Sequence, residues 1–174
     1  MIRHPAAGDA AEKRTPSDKG EKNMSDENRE YGEYAQLQLD RQLCFPLYAA
    51  ARKVVNEYNP LLKPYGLTYT QYIVFLALWE QENGKAKVGD LGRRLYLDCG
   101  TLTPLLKKME ESGWLNRCRC KMDERVVYVS LTDAGWALRE ELKEIPEKVG
   151  RCMTMKQEEA AELYTLLYRL LNAM

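Results

Sequence analysis

Leu95-Tyr96-Leu97-Asp98-Cys99-Gly100-Thr101-Leu102-Thr103-Pro104-Leu105-Leu106-Lys107 is the stretch that decides the fold, because it joins two helical patterns through a turn. Upstream, Lys87 to Leu95 reads as a short helix carrying Val88, Leu91 and Leu95 at helical spacing. Leu97 to Thr101 is the turn, and the helix after it runs to Ser112-Gly113. Either Asp98 or Thr101 caps that second helix. With Thr101 as the cap, Pro104 falls in the first turn, where a missing N–H does no harm; with Asp98 as the cap, the start must bend. Downstream, Trp114–Arg119 and Val126–Leu131 are extended runs separated by polar Lys121-Met122-Asp123-Glu124, the pattern of a β-hairpin. Two helices at a turn followed by a two-stranded ribbon make a helix-turn-helix with a wing.

Helical patterns flank this unit on both sides. From Leu37 onward, Leu39, Leu43, Leu47, Ala50, Val54 and Tyr58 form one apolar stripe, which Asn59-Pro60 is expected to end or break. After the short segment Leu61 to Gly66, Thr68 or Thr70 caps an apolar helix from Gln71 to about Glu82, stopped by Asn83-Gly84. Thr132-Asp133 opens a long helix through Leu142, with Pro146 near its end. A last helix spans about Gln157 to Leu171 on a stripe of Leu163, Leu166, Leu167 and Leu170. The expected class is mainly α with a small β-wing: a winged helix-turn-helix whose DNA-binding part covers about 70–131, between helices at about 36–58 and 132–173. One small domain cannot bury such long outer stripes fully, so the surplus predicts a dimer formed by the N- and C-terminal helices.

The 174 residues carry 26 basic and 26 acidic side chains, so the chain is formally neutral and its charge must be read locally. Residues 1–35 are polar, with six Lys/Arg, eight Asp/Glu and almost no large apolar side chain. Such a segment buries too little to offset its chain entropy and is expected to be disordered, with Met24 an alternative start inside it. The folded domain is then 36–174. No apolar run approaches the ~18 residues that span a bilayer, and the N-terminus lacks a signal-type apolar region, so the expectation is a cytoplasmic protein away from membranes. Five cysteines (Cys44, Cys99, Cys118, Cys120, Cys152) form no framework and read as reduced thiols. The sole histidine, His4, lies in the polar extension, which removes Cys–His and Ser–His–Asp catalysis from the folded domain. There is no Gly-rich phosphate loop. Cys118 and Cys120 share a strand face, but a lone C-x-C is weak evidence for zinc. No enzyme activity, cofactor or metal is expected.

Between Lys85 and Leu131, ten basic residues face six acids, a local net charge of +4 in a neutral chain. Such a surplus solvates an ordinary surface or neutralises phosphates, and the helix-turn-helix-wing order decides for double-stranded DNA. The second helix would enter the major groove by its N-terminal residues, Thr101, Thr103 and their neighbours. At the wing tip, Arg125 would reach a minor groove, with Asp123 holding its guanidinium by a bidentate pair. A dimer would read two half-sites related by its two-fold axis.

Cys44 stands apart, in Gln42-Leu43-Cys44-Phe45-Pro46-Leu47-Tyr48. A free cysteine in a helix is usually a small buried hydrophobe. Here Pro46 leaves the Gln42 carbonyl without its helical partner beside the thiol, and Tyr48 sits one turn on. Tyr58 and Tyr69 are available further along. Phenolic hydroxyls that donate to a thiolate stabilise its charged form, the form that peroxides oxidise to sulfenic acid. Both the inert and the reactive reading stand on these residues alone.

From about Leu37 to Leu171 the chain resembles the MarR family of winged-helix regulators, and within it the organic hydroperoxide resistance repressors. The resemblance is carried by Gln42-Leu43-Cys44-Phe45, Leu47-Tyr48-Ala49, Tyr58, Leu67-Thr68-Tyr69-Thr70-Gln71-Tyr72, the stretch 95–107, and Asp123-Glu124-Arg125. It implies that Cys44 is the peroxide-sensing thiol. Tyr58 and Tyr69 would hydrogen-bond its thiolate across the dimer interface, with Tyr48 a third tyrosine near it. It also implies that Cys99, Thr101, Thr103, Lys107, Asp123 and Arg125 meet DNA. A reduced homodimer would hold its operator, and an organic hydroperoxide would release it. Pro46 departs from the family pattern and predicts a bent local helix. Cys99 replaces a DNA-contacting serine and makes a weak contact or an extra redox switch. Cys152 matches a resolving cysteine found in some members; without it, a low-molecular-weight thiol would cap the sulfenate. Two other functions remain open: a repressor induced by a non-covalently held small aromatic acid, and a thiol peroxidase.

Overall fold

The computed structural model describes residues 34–174; most of the polar extension expected over 1–35 therefore lies outside the described residues. The chain divides into two compact units at Leu43/Cys44. In the first, two single-turn 3-10 helices, Ala35–Leu37 and Leu39–Arg41, replace the expected start of a long helix, and the Gln42 side chain donates to the Gln36 carbonyl.

The second unit runs α1 (Cys44–Leu62), α2 (Tyr69–Trp79), β1 (Lys85–Lys87), α3 (Val88–Leu95), α4 (Cys99–Glu111), β2 (Leu115–Arg119), β3 (Val127–Leu131), α5 (Asp133–Leu142), α6 (Ile145–Cys152) and α7 (Gln157–Ala173). The mainly helical class and the wing are as expected. The two prolines and the wing differ. Pro60 lies inside α1 instead of ending it. It removes one N–H on an exposed face, where the freed carbonyl is open to solvent, while Leu62 just beyond is fully buried and holds the last turn to the core. Pro146 opens α6 instead of closing the helix before it, as proline in a first turn does. The wing also gains a third strand, giving an antiparallel sheet of order β1-β3-β2 with Lys85 opposite Ser130 and Leu115 opposite Leu131. A three-residue strand between polar ends shows too little alternation to be seen in sequence.

The core gathers one face of most elements: Leu62 of α1, Tyr72, Phe75 and Leu78 of α2, Leu91 of α3, Leu102, Leu106 and Met109 of α4, Leu115 and Val129 of the sheet, Leu142 of α5 and Val149 of α6. Thr68 caps α2 through a reciprocal box with Gln71, and Thr132 caps α5 by accepting the Gly135 N–H. At Gly135 a Cβ would stand 2.1 Å from the Trp114 carbonyl oxygen, so α5 and the root of β2 meet backbone to backbone. Gly135→Ala is expected to destabilise the fold by about 1–3 kcal/mol, read as a Tm lowered by several degrees in thermal unfolding; an unchanged Tm would contradict this packing.

Helix α7 contributes no buried residue. Leu163, Leu166, Leu170 and Leu171 stay 40–50% exposed, as do large parts of Tyr164 and Tyr168. Phe45 and Tyr48 at the start of α1 are exposed too. The helices expected to dimerise thus carry unpartnered apolar surface.

Candidate nucleic-acid interface and thiol–tyrosine site

The turn between α3 and α4 is set by backbone geometry. Tyr96 closes α3 in the left-handed region at φ 54°, and the Leu97 N–H returns to the Gly92 carbonyl at 2.9 Å. A Cβ on Gly92 would sit 2.9 Å from the Leu97 carbonyl oxygen, so only glycine lets the turn pass this close. Asp98 is the cap of α4: its carboxylate accepts the Thr101 N–H at 2.9 Å and the Thr101 hydroxyl at 2.7 Å. These bonds hold the Asp98 carboxyl below the usual carboxylate range. With Asp98 as cap, α4 is still one continuous helix, and Pro104 lies beyond its first turn on the exposed face.

The Thr101 hydroxyl is therefore engaged within the chain. Cys99, Thr103 and Lys107, spaced four apart, share the exposed face of α4, opposite buried Leu102, Leu106 and Met109. Lys107 lies 3.8 Å from Glu111. Arg125 and Cys99 come together around a hollow of about 310 Å³, shared with Lys87 and Arg93. The expected Asp123–Arg125 bidentate pair takes another form: Asp123 accepts the backbone N–H of Arg125 at 3.0 Å. A short carboxylate reaches an N–H two residues on more readily than it fixes a long flexible guanidinium.

One clamp at the wing escaped sequence reasoning. Glu110 of α4 accepts both the backbone N–H (2.9 Å) and the Nε (2.8 Å) of Arg117 on β2, each side chain being about two-thirds or more buried. Arg117 thus fixes the wing to α4 instead of facing solvent, and its hydrogen bonds hold Glu110 below its ordinary value. A carboxyl depressed in the folded state contributes stability above its unfolded pKa and loses it as pH falls through the folded one. Glu110→Gln is expected to destabilise the protein by about 1 kcal/mol at pH 7. That penalty should disappear in strongly acidic buffer; denaturant melts giving an equal penalty at both pH values would contradict the assignment.

Cys44 is the first residue of α1 and exposed. Pro46 occupies the first turn, where helical N–H groups have no partner in any case, so the bend expected there does not arise. Tyr48 is one turn on; its hydroxyl accepts from Arg52 at 3.1 Å, and that guanidinium also lies 5.5 Å from the ring centre. Tyr58 is fourteen positions from Cys44, about 21 Å along the same helix. It packs instead on Tyr69, with ring centres 4.9 Å apart. Burial raises both phenols above their usual range, and for Tyr58 the neighbouring Tyr69 adds to this. Both are thus neutral hydrogen-bond donors at physiological pH. The structure brings Tyr58 and Tyr69 together and leaves Cys44 and Tyr48 at the far end of α1. Tyr72 completes the aromatic cluster, 5.6 Å from Tyr58 and 6.5 Å from Tyr69. Its place three residues after Tyr69, on the same helical face, was the available signal.

Cys152 is the last residue of α6 and exposed, with its sulfur 3.5 Å from the Lys148 carbonyl. Cys118 is exposed and Cys120 half-buried. Among the described residues no helix is long and apolar enough to cross a membrane.

The sequence profile of the family described as transcriptional regulator SarA/Rot matches residues 56–142. The chain is 42% identical to the organic hydroperoxide resistance transcriptional regulator of Bacillus subtilis (strain 168) over 138 residues, 79% of this chain and 92% of that one. Among solved structures it is similar to reduced AbfR bound to DNA, AbfR being a Staphylococcus epidermidis protein: 36% identity and a TM-score of 0.65, over 79% of this chain and 95% of that chain. It is also similar to AbfR with its disulfide formed, at 37% identity and a TM-score of 0.56, over 78% of this chain and 94% of that chain.

Proposed function

The chain belongs to the MarR family of winged-helix transcriptional regulators, in its organic hydroperoxide resistance branch, and from that premise we propose that it is a homodimeric DNA-binding repressor released by oxidation of Cys44. The observation that carries this is the layout of α1. An exposed thiol opens the helix, the neutral, half-buried phenol of Tyr58 lies about 21 Å along it with Tyr69 of α2 packed on it, and the end that carries the thiol is apolar and unpartnered. A second protomer packed antiparallel on α1 brings each Cys44 to Tyr58 and Tyr69 of the partner subunit. The exposed apolar stripe of α7 supplies the remaining contact area.

In the reduced dimer the phenols donate to the thiolate of Cys44 and hold the two reading heads at one spacing. Thr103, Lys107 and Cys99 face the major groove, Arg125 follows a minor groove, and Asp123 shapes the turn that presents it. Thr101 and Asp98 set the start of the reading helix. The thiolate sulfur attacks the distal oxygen of an organic hydroperoxide. The O–O bond breaks and the alkoxide leaves, taking up a proton to become the alcohol, while Cys44 becomes a sulfenic acid. That group cannot accept the same hydrogen bonds, so the phenols move, the heads lose their spacing and the operator is released. The sulfenic acid then condenses with the Cys152 thiol, or with a low-molecular-weight thiol, giving a disulfide and water. The similarity to AbfR with its disulfide formed favours the first route. The protein works in the cytoplasm, with no cofactor and no catalytic turnover.

Intact mass spectrometry after one equivalent of cumene hydroperoxide, paired with a DNA-shift assay on the same sample, tests this. One added oxygen at Cys44, or its linkage to Cys152, should appear together with loss of the shifted band. A shifted band that survives full oxidation of Cys44 would refute it. A second reading, induction by a small aromatic acid, is favoured by a cavity of about 360 Å³ between α2, α3 and α7, lined by Tyr69, Arg94, Tyr96 and Tyr168. It predicts release by such a ligand with Cys44 still reduced.

A further inference from the structure

We propose that Tyr72 is the positioning residue of the phenol pair: its buried ring fixes where Tyr58 and Tyr69 aim, and so sets how fast Cys44 is oxidised, an inference that rests on the thiol–tyrosine reading above. Tyr72 is 1% exposed, whereas Tyr58 and Tyr69 are half-buried. The fully buried aromatic rings divide their work. Phe75 packs on Trp79 and Trp114, at 5.2 and 5.8 Å, whereas Tyr72 packs on both phenols. The three ring centres form a triangle of 4.9, 5.6 and 6.5 Å, with Tyr58 supplied by α1 and the other two by α2.

The base of that triangle is rigid. The Thr68–Gln71 capping box fixes the first turn of α2: the Thr68 N–H donates to Gln71 Oε1 at 2.9 Å, and the Gln71 N–H returns to Thr68 Oγ1 at 3.3 Å. Tyr69 and Tyr72 therefore leave the helix at set positions three residues apart, on one face. A half-buried tyrosine can swing about χ1 unless something solid stands beside it. For Tyr58 and Tyr69 that neighbour is the Tyr72 ring. A hydrogen bond to a thiolate tolerates about half an ångström of misplacement. Burial also pushes the Tyr72 hydroxyl up to about 12, with smaller contributions from Tyr58 and Tyr69, so the cluster carries no charge that would repel a thiolate.

The test is the second-order rate of Cys44 oxidation by cumene hydroperoxide in the full-length dimer, followed by intact mass, together with the operator affinity of the reduced protein. Tyr72→Phe keeps the ring and should react within about twofold of the native rate. Tyr72→Leu should slow oxidation at least about tenfold, the scale of an ångström-level misplacement, while the reduced protein stays a folded dimer that still shifts operator DNA. Tyr72→Met takes its place where the leucine variant does not give a folded dimer. Native-rate oxidation in the leucine or methionine variant would overturn the proposal, because Tyr72 would then be core and nothing more. Slowing of the phenylalanine variant as large as that of the leucine variant would overturn it too, by placing the effect in the hydroxyl. Failure of the underlying reading looks different: the native protein itself would react no faster than a free cysteine.

Discussion

Cys44→Ser is expected to bind operator DNA as the native protein does and to keep it under organic hydroperoxide. In the native protein the same treatment should weaken binding on the order of 100-fold, the upper range of coupling between two sites in a protein of this size. The serine hydroxyl is nearly isosteric with the thiol, so packing at the start of α1 is preserved. It forms no sulfenic acid, so the step that moves the phenols is missing. Titrating labelled operator with reduced and treated protein gives both affinities directly. A serine variant that still lets go under hydroperoxide would place the sensor elsewhere, with Cys99 in the hollow beside Arg93 and Arg125 the next thiol to examine. The second reading, release by a small aromatic acid, predicts release that survives this substitution.

Leu166→Glu combined with Leu170→Glu is expected to give a folded monomer that has lost operator affinity by at least about 100-fold. Both leucines sit one turn apart on α7, 50% and 40% exposed, and no α7 residue belongs to the buried core, so the fold of one chain does not depend on them. In a dimer seam each carboxylate would be desolvated without a partner, a penalty of several kcal/mol per charge. A monomer keeps one reading head and forfeits the gain from engaging two half-sites at once. Sedimentation at micromolar protein, together with the operator titration, checks both halves. A variant that remains dimeric would show that α7 is not the seam.

The reading head was legible because its signals are local. Thr68, Asp98 and Thr132 each accept an N–H three residues on, and such caps announce helix starts whatever the rest of the fold does. The buried positions of α4 recur at helical spacing, so its exposed face, with Cys99, Thr103 and Lys107, follows by subtraction. What stayed hidden depends on tertiary context. Pro60 reads as a stop until Leu62 is seen locked in the core. Pro146 reads as an end until α6 is seen to start there. Arg117 reads as a free cation until Glu110, seven residues back and on another element, is seen to hold it twice. The long first helix failed for a different reason: Leu39 and Leu43 continue the apolar spacing, yet spacing does not distinguish one helix from two short turns followed by one.

The thiol site was half legible. Cys44, Tyr48 and Tyr58 fall in one expected helix, so the 14 positions that keep the thiol and Tyr58 apart in one chain can be counted from the sequence, whereas the packing of Tyr69 and Tyr72 on Tyr58 cannot. That separation is why the account needs two subunits, and it defines the most direct measurement. In a homodimer carrying Tyr58→Phe and Tyr69→Phe, loss of two hydrogen bonds to a charged sulfur should slow Cys44 oxidation about 100-fold. A heterodimer pairs that chain with one carrying Cys44→Ser and native tyrosines. Its single Cys44 then faces Tyr58 and Tyr69 of the partner subunit, and the account predicts oxidation by cumene hydroperoxide at the native rate. A heterodimer as slow as the doubly substituted homodimer, or a homodimer as fast as the native protein, would contradict it.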